Sequence, residues 1–229
     1  MKKRNIKTKY IAYLVILIVA CIAGSQIPGF FTVTNILNVT RQASTIAICA
    51  LAMTLVLIIQ GIDLGTGGVM AFCAMVSGFM MLNGINVFFS MFAGAAVGLI
   101  IGIVNGLLVS RINIPPFIAT YVTGQITLGL ALVVGKGSSI SGMPDLYVAI
   151  GNQLFLNIPI NTWIMIVLLV ITTVILKYTR MGKHIYALGG NESVVKAEGI
   201  NSGRIKIFAF SLCGLYSAIA GILLSAQMA

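Results

Sequence analysis

From Val87 to Ser110 the chain runs for 24 residues without one charged side chain. As an α-helix this stretch is about 36 Å long, enough to cross the roughly 30 Å hydrocarbon core of a bilayer. Further apolar stretches cover Tyr10–Ile27, Gln42–Gln60, Val69–Leu82, Thr162–Leu176 and Ile207 to the end, and Pro115-Pro116 opens another that reaches Val134. They do not alternate polar with apolar residues, so a membrane β-barrel is excluded. Only 8% of the residues are charged and 59% are hydrophobic, against about 25% charged in a soluble domain. Too few polar side chains exist to cover a water-facing surface, so the lipid bilayer must be the solvent. The expected fold is all-α: one polytopic transmembrane helical bundle over residues 1–229, with about seven spans.

Charge sets the orientation. The chain has 14 Lys+Arg against 4 Asp+Glu. Lys2, Lys3, Arg4, Lys7 and Lys9 precede the first apolar stretch, Arg111 ends the fourth, and Lys177, Arg180, Lys183, Lys196, Arg204 and Lys206 lie between the last two. With the N-terminus in the cytoplasm all twelve are inside, and only Arg41 and Lys136 are outside. The positive-inside rule therefore predicts a cytoplasmic N-terminus and a cytoplasmic loop over 178–205. The same distribution explains the net charge of +10 without a nucleic-acid partner.

Within the membrane, Gly94, Gly98, Gly102 and Gly106 recur every four residues and make one smooth helix face. Such a face lets another backbone approach closely, so it is expected to pack inside the bundle. Ser217, Gly221 and Ser225 form a weaker version in the last stretch. Gly61–Gly68 is a glycine-rich break around Asp63, and residues 135–160 read as a polar, turn-rich outer loop.

No catalytic constellation is present. His184 is the single histidine, and Cys21, Cys49, Cys73 and Cys213 lack metal or redox spacing, so no metal site is expected. Asp63, Asp145, Glu192 and Glu198 offer no paired carboxylates. Gly189-Gly190 lacks the Lys and Ser/Thr of a phosphate loop, so ATP hydrolysis is not expected in this chain, nor any cofactor. Ion-coupled carriers keep ionisable groups inside the bundle, and only Asp63 qualifies here. A transporter so equipped needs energy from a partner.

The 178–205 loop suggests where that partner docks. Asn191 can cap a short helix, Glu192 suits its first turn, and Gly199 can end it in a left-handed conformation. Val194 and Val195 are expected on its buried side.

Three blocks carry a resemblance. Tyr186-Ala187-Leu188-Gly189-Gly190-Asn191-Glu192 with Ala197-Glu198-Gly199-Ile200 resembles the cytoplasmic coupling motif of monosaccharide ABC permeases, relatives of branched-chain amino acid permeases. Gly61-Ile62-Asp63-Leu64 is similar to the stretch after an early helix in those proteins. Asn105-Gly106-Leu107-Leu108-Val109 followed by Ile114-Pro115-Pro116-Phe117-Ile118-Ala119-Thr120 is similar to a third block.

The resemblance implies a multi-pass permease subunit of an ATP-driven importer in the bacterial inner membrane, with a monosaccharide such as ribose as solute. Its implied partners are an ABC ATPase subunit that holds ATP and Mg, a second permease subunit and an extracytoplasmic solute-binding protein. Gly189, Gly190, Asn191, Glu192, Val194, Val195, Glu198 and Gly199 would couple to the ATPase, and Asp63, Asn105, Pro115, Pro116 and Thr120 would belong to the pathway or its gate. Gly65 stands where a serine is expected. The chain ends within the seventh stretch where family members continue, which suggests a fragment. The alternatives are the same machine for a branched-chain amino acid, nucleoside or furanone-type signal, an ion-coupled carrier and, last, a membrane enzyme.

Overall fold

The computed structural model describes residues 4–229, in two units that divide between Thr40 and Arg41. Lys2 and Lys3 lie outside the described residues, as do the side chains of Arg4, Lys7 and Lys9. In the first unit, α1 (Arg4–Ser25) ends ahead of Pro28-Gly29, and Gly29 takes a left-handed φ of +83°. Asn35 Nδ2 donates to the Phe30 carbonyl at 2.7 Å and fixes the turn into α2 (Val33–Ile58).

The remaining helices are α3 (Thr66–Leu82), α4 (Val87–Ser110), α5 (Pro116–Val134), α6 (Asp145–Asn152), α7 (Ile160–Tyr178), α8 (Arg180–Gly190), α9 (Glu192–Ala197) and α10 (Ser202–Met228). Among the described residues five of them are long and apolar enough to cross a membrane: α2, α4, α5, α7 and α10. The other two apolar stretches are α1 and the 17-residue α3, about 26 Å long. A non-helical break over residues 61–65 precedes α3. Exposed Phe117, Val133, Val167, Val170 and Val174 on α5 and α7 make the kind of apolar surface that lipid tolerates and water does not.

Helix α10 is the axis of the second unit, packed by α3, α4, α6 and α8. Its Ala209, Phe210, Cys213, Tyr216, Ala220 and Leu223 are buried. The glycines of α4 bring that helix onto it. A Cβ on Gly98 would lie 2.6 Å from the Gly214 carbonyl oxygen, and one on Gly106 would lie 2.6 Å from the Ile207 Cα. Gly214 meets the Gly98 carbonyl in return, so the contact is backbone against backbone. Gly94 instead faces Cys73 and Ser77 of α3, and Gly221 of α10 faces Met70.

Three segments depart from the sequence reading. Residues 135–160 are not merely a loop. Pro144 sets the entry to α6, whose Tyr147 is fully buried and donates to the Ile222 carbonyl at 2.8 Å. A hairpin follows, β1 (Leu154–Phe155) antiparallel to β2 (Ile158–Pro159), with Leu156 and Asn157 both at positive φ. Trp163 Nε1 donates to the Phe155 carbonyl at 3.1 Å and ties the hairpin to α7. Helix α2 starts at Val33 rather than Gln42, running through Arg41. That side chain is buried and donates from Nη2 to the Asn152 carbonyl at 2.9 Å, so its charge does not end the helix. Between α7 and α10 the chain forms two helices, where the sequence suggested one. The apolar residues Met181, Ile185 and Leu188 face inward from α8 at helical spacing.

Candidate functional site

The α8–α9 loop sits at the end of the bundle that carries Arg111, Lys177 and Lys206. Helix α9 has only six residues, too short to persist alone, and its surroundings hold it. Asn191 Oδ1 accepts from Ser193 N at 2.9 Å and Val194 N at 3.4 Å, which satisfies free first-turn amides. At the other end Gly199 takes φ +72° and Ile200 N donates to the Val195 carbonyl at 3.1 Å. The space around Gly199 is open, so its need for glycine is conformational and not steric.

Val195 is buried in the main apolar cluster, but Val194 points outward at 55% exposure, which corrects the expectation that both are buried. The two are adjacent on a helix, so one 100° step carries the second away from the core. Tyr186 is equally exposed, and Ala187, Gly190 and Ala197 are exposed with it.

Two polar ties join this loop to the bundle. Glu192 receives Lys206 Nζ on both oxygens, at 3.0 and 2.8 Å, and Lys196 Nζ at 3.0 Å on Oε1. Lys206, doubly bonded, is the main reason that the Glu192 carboxyl falls from an ordinary 4.5 to about 2, with partial burial opposing and Lys196 adding. The folded value lies below the ordinary one. The pair is therefore fully present above about pH 4.5 and is lost as pH falls towards 2. Glu192 and Glu198 are the chain's two glutamates. In a Glu198→Gln protein labelled with ¹³C-glutamate, the single carboxyl resonance is expected to titrate near 2, and Lys206→Met is expected to move it up towards 4.5. A midpoint indifferent to Lys206 contradicts the pairing.

The second tie is Gln60 Nε2, which donates to the Gly189 carbonyl at 2.6 Å. Gln60 has φ +61°, a conformation that costs a residue with a side chain about 1 kcal/mol or more. A Cβ on Gly189 would collide with the Ile58 carbonyl, so the ends of α8 and α2 touch through their backbones. Gly190 has open space around it.

Beyond Gln60 the chain is neither helix nor strand from Gly61 to Gly65. Asp63 is buried. Its Oδ1 accepts from Gly65 N at 2.8 Å and its Oδ2 lies 3.4 Å from Cys213 Sγ. Thr120 Oγ1 accepts from Leu64 N at 3.0 Å and donates to the Pro116 carbonyl at 2.9 Å. Asn105 accepts from Thr123 Oγ1 at 2.7 Å. Asp63, Asn105 and Thr120 are 5%, 2% and 0% exposed, so they face packed protein and not an open lumen in this conformation. Gly65 lies against the Thr120 carbonyl with no room for a Cβ, so a serine there would force these two backbones apart. Pro115 and Pro116 open α5 and line a cavity of about 270 Å³ together with Gln60, Asn113, Glu192 and Lys206. No group of three or more His, Cys, Asp or Glu that could hold a metal exists among the described residues.

A family model described as the permease component of the branched-chain amino acid transport system matches residues 35–229. The chain belongs to this permease family. It is 36% identical over 221 residues to the ribose import permease of Haemophilus influenzae, covering 95% of this chain and 68% of that protein. The ribose import permease of Bacillus subtilis is 34% identical over 218 residues, covering 94% and 68%. The D-allose transport system permease of Escherichia coli is 30% identical over 224 residues, covering 96% and 68%. No solved structure matches the chain. The permease is thus a multi-pass transport component and not an enzyme, and α3 to α10, nearly all of α2, the Gly61–Gly65 break and the α8–α9 loop lie within the matched residues.

Proposed function

We propose that this permease forms the pathway for a monosaccharide such as ribose in an ATP-driven importer of the bacterial inner membrane. The carrying observation is the likeness to ribose and allose permeases along nearly the whole chain. ATP and Mg belong to a partner ATPase, an extracytoplasmic binding protein delivers the sugar, and a second permease subunit completes the path. The α8–α9 loop is the seat of the ATPase. Lys177, Arg180, Lys183, Lys196, Arg204 and Lys206, in this loop or at the helix ends beside it, and Arg111 at the same end of the bundle support a cytoplasmic position under the positive-inside rule. Outward-facing Tyr186 and Val194 supply the apolar contact that a protein partner buries. The buried Asp63, Asn105 and Thr120, with Pro115 and Pro116, form the gate region, closed in this conformation.

Proteoliposomes holding the permease, its ATPase and its binding protein test the reading. Labelled ribose is expected to accumulate only with ATP on the ATPase side and with binding protein on the other. Accumulation driven by an ion gradient, abolished by an uncoupler and indifferent to the ATPase, contradicts it.

A further inference from the structure

The α8–α9 loop can seat an ATPase only usefully if its displacement reaches the buried gate region, and the structure contains one short path between them. Gln60 closes α2 and is followed directly by the Gly61–Gly65 break. Its backbone is left-handed, a conformation that glycine adopts freely and glutamine only under strain. Glutamine here is exposed, so burial does not explain its presence. What the side chain does make is the 2.6 Å bond to the Gly189 carbonyl. At the same place Gly189 rests on the Ile58 carbonyl. Three residues on is Asp63, and Leu64 is in turn held by Thr120 of α5.

We infer that Gln60 is the positioning residue that transmits movement of the α8–α9 loop to the Gly61–Gly65 break and through Leu64–Thr120 to α5. The inference rests on the reading that this loop receives the ATPase. The tie needs a donor at position 60, because Gly189 offers a carbonyl oxygen. A glutamate, which only accepts when ionised, breaks it, whereas a lysine can restore it.

The chemistry gives a clean set of variants. Gln60→Gly removes the tie while relaxing the strained backbone, so loss of folding is not its expected consequence. Gln60→Glu keeps the size and removes the donor, and Gln60→Lys supplies one. Each is reconstituted with the ATPase and binding protein, and ATP hydrolysis and ribose uptake are measured in the same proteoliposomes. Gln60→Gly and Gln60→Glu are expected to reach the membrane, retain the ATPase and hydrolyse ATP. Their sugar imported per ATP is expected to fall about fivefold, the typical equilibrium weight of one hydrogen bond. Gln60→Lys is expected to stay close to wild type. Wild-type uptake per ATP in Gln60→Gly overturns the inference. So does loss of ATPase binding in that variant, which would make Gln60 part of the docking surface. A wild-type permease that imports without the ATPase overturns the underlying reading, and the inference with it.

Discussion

Gly98→Leu is expected to leave little monodisperse protein in detergent, while the same substitution at Gly129 is expected to be silent. At Gly98 even a Cβ would stand 2.6 Å from the Gly214 carbonyl and closer still to the Ala218 Cβ. Neither neighbour can swing aside, since one is backbone and the other is a methyl fixed to it. The helices must part, and the glycine contacts at Gly102 and Gly106 open with them. Adding bulk to a packed core typically costs about 1–3 kcal/mol, and opening a whole ladder belongs at or above the top of that range. The total stability of a fold is only about 5–15 kcal/mol. Gly129 on α5 has no atom within 4 Å of the Cβ position, so a leucine there meets open space. Size-exclusion profiles of the two variants after identical extraction check this. A normal profile for Gly98→Leu means that the α4 glycines do not hold α10.

What could be read from the sequence follows physical scale. Spans are long-range averages of hydropathy, and α4, α5 and α7 fall where the apolar stretches lie. The cap and terminator of α9 are local backbone chemistry, so Asn191 and Gly199 could be recognised by residue type alone. The start of α2 was not legible because Arg41 is charged, and only the distant Asn152 carbonyl makes its burial acceptable. Helix α6 was hidden because its reason for folding, the Tyr147 bond to the Ile222 carbonyl, is 75 residues away. The inward stripe of α8, Met181, Ile185 and Leu188, was available in the sequence but short and embedded in charge. Val194 and Val195 look alike in a hydropathy reading, and only packing separates them. The Gln60–Gly189 bond joins residues 129 apart, and neither residue type advertises it.

The second large effect concerns Val194. At 55% exposure on a capped helix, with Val195 beside it in the core, it has a fixed outward direction. Tyr186 stands at the same exposure one helix earlier. An ATPase that seats on α9 must cover Val194, and covering is close to all-or-none for a small thiol reagent. The outward direction also makes the side chain a probe of orientation, because a reagent that cannot cross the membrane reaches it from one side only. The decisive measurement is therefore the labelling of Val194→Cys by an impermeant maleimide in a background lacking the four native cysteines. No label is expected in intact cells, rapid label in inverted vesicles stripped of the ATPase, and protection when the ATPase is added back. Labelling in intact cells, or undiminished labelling with the ATPase bound, contradicts it.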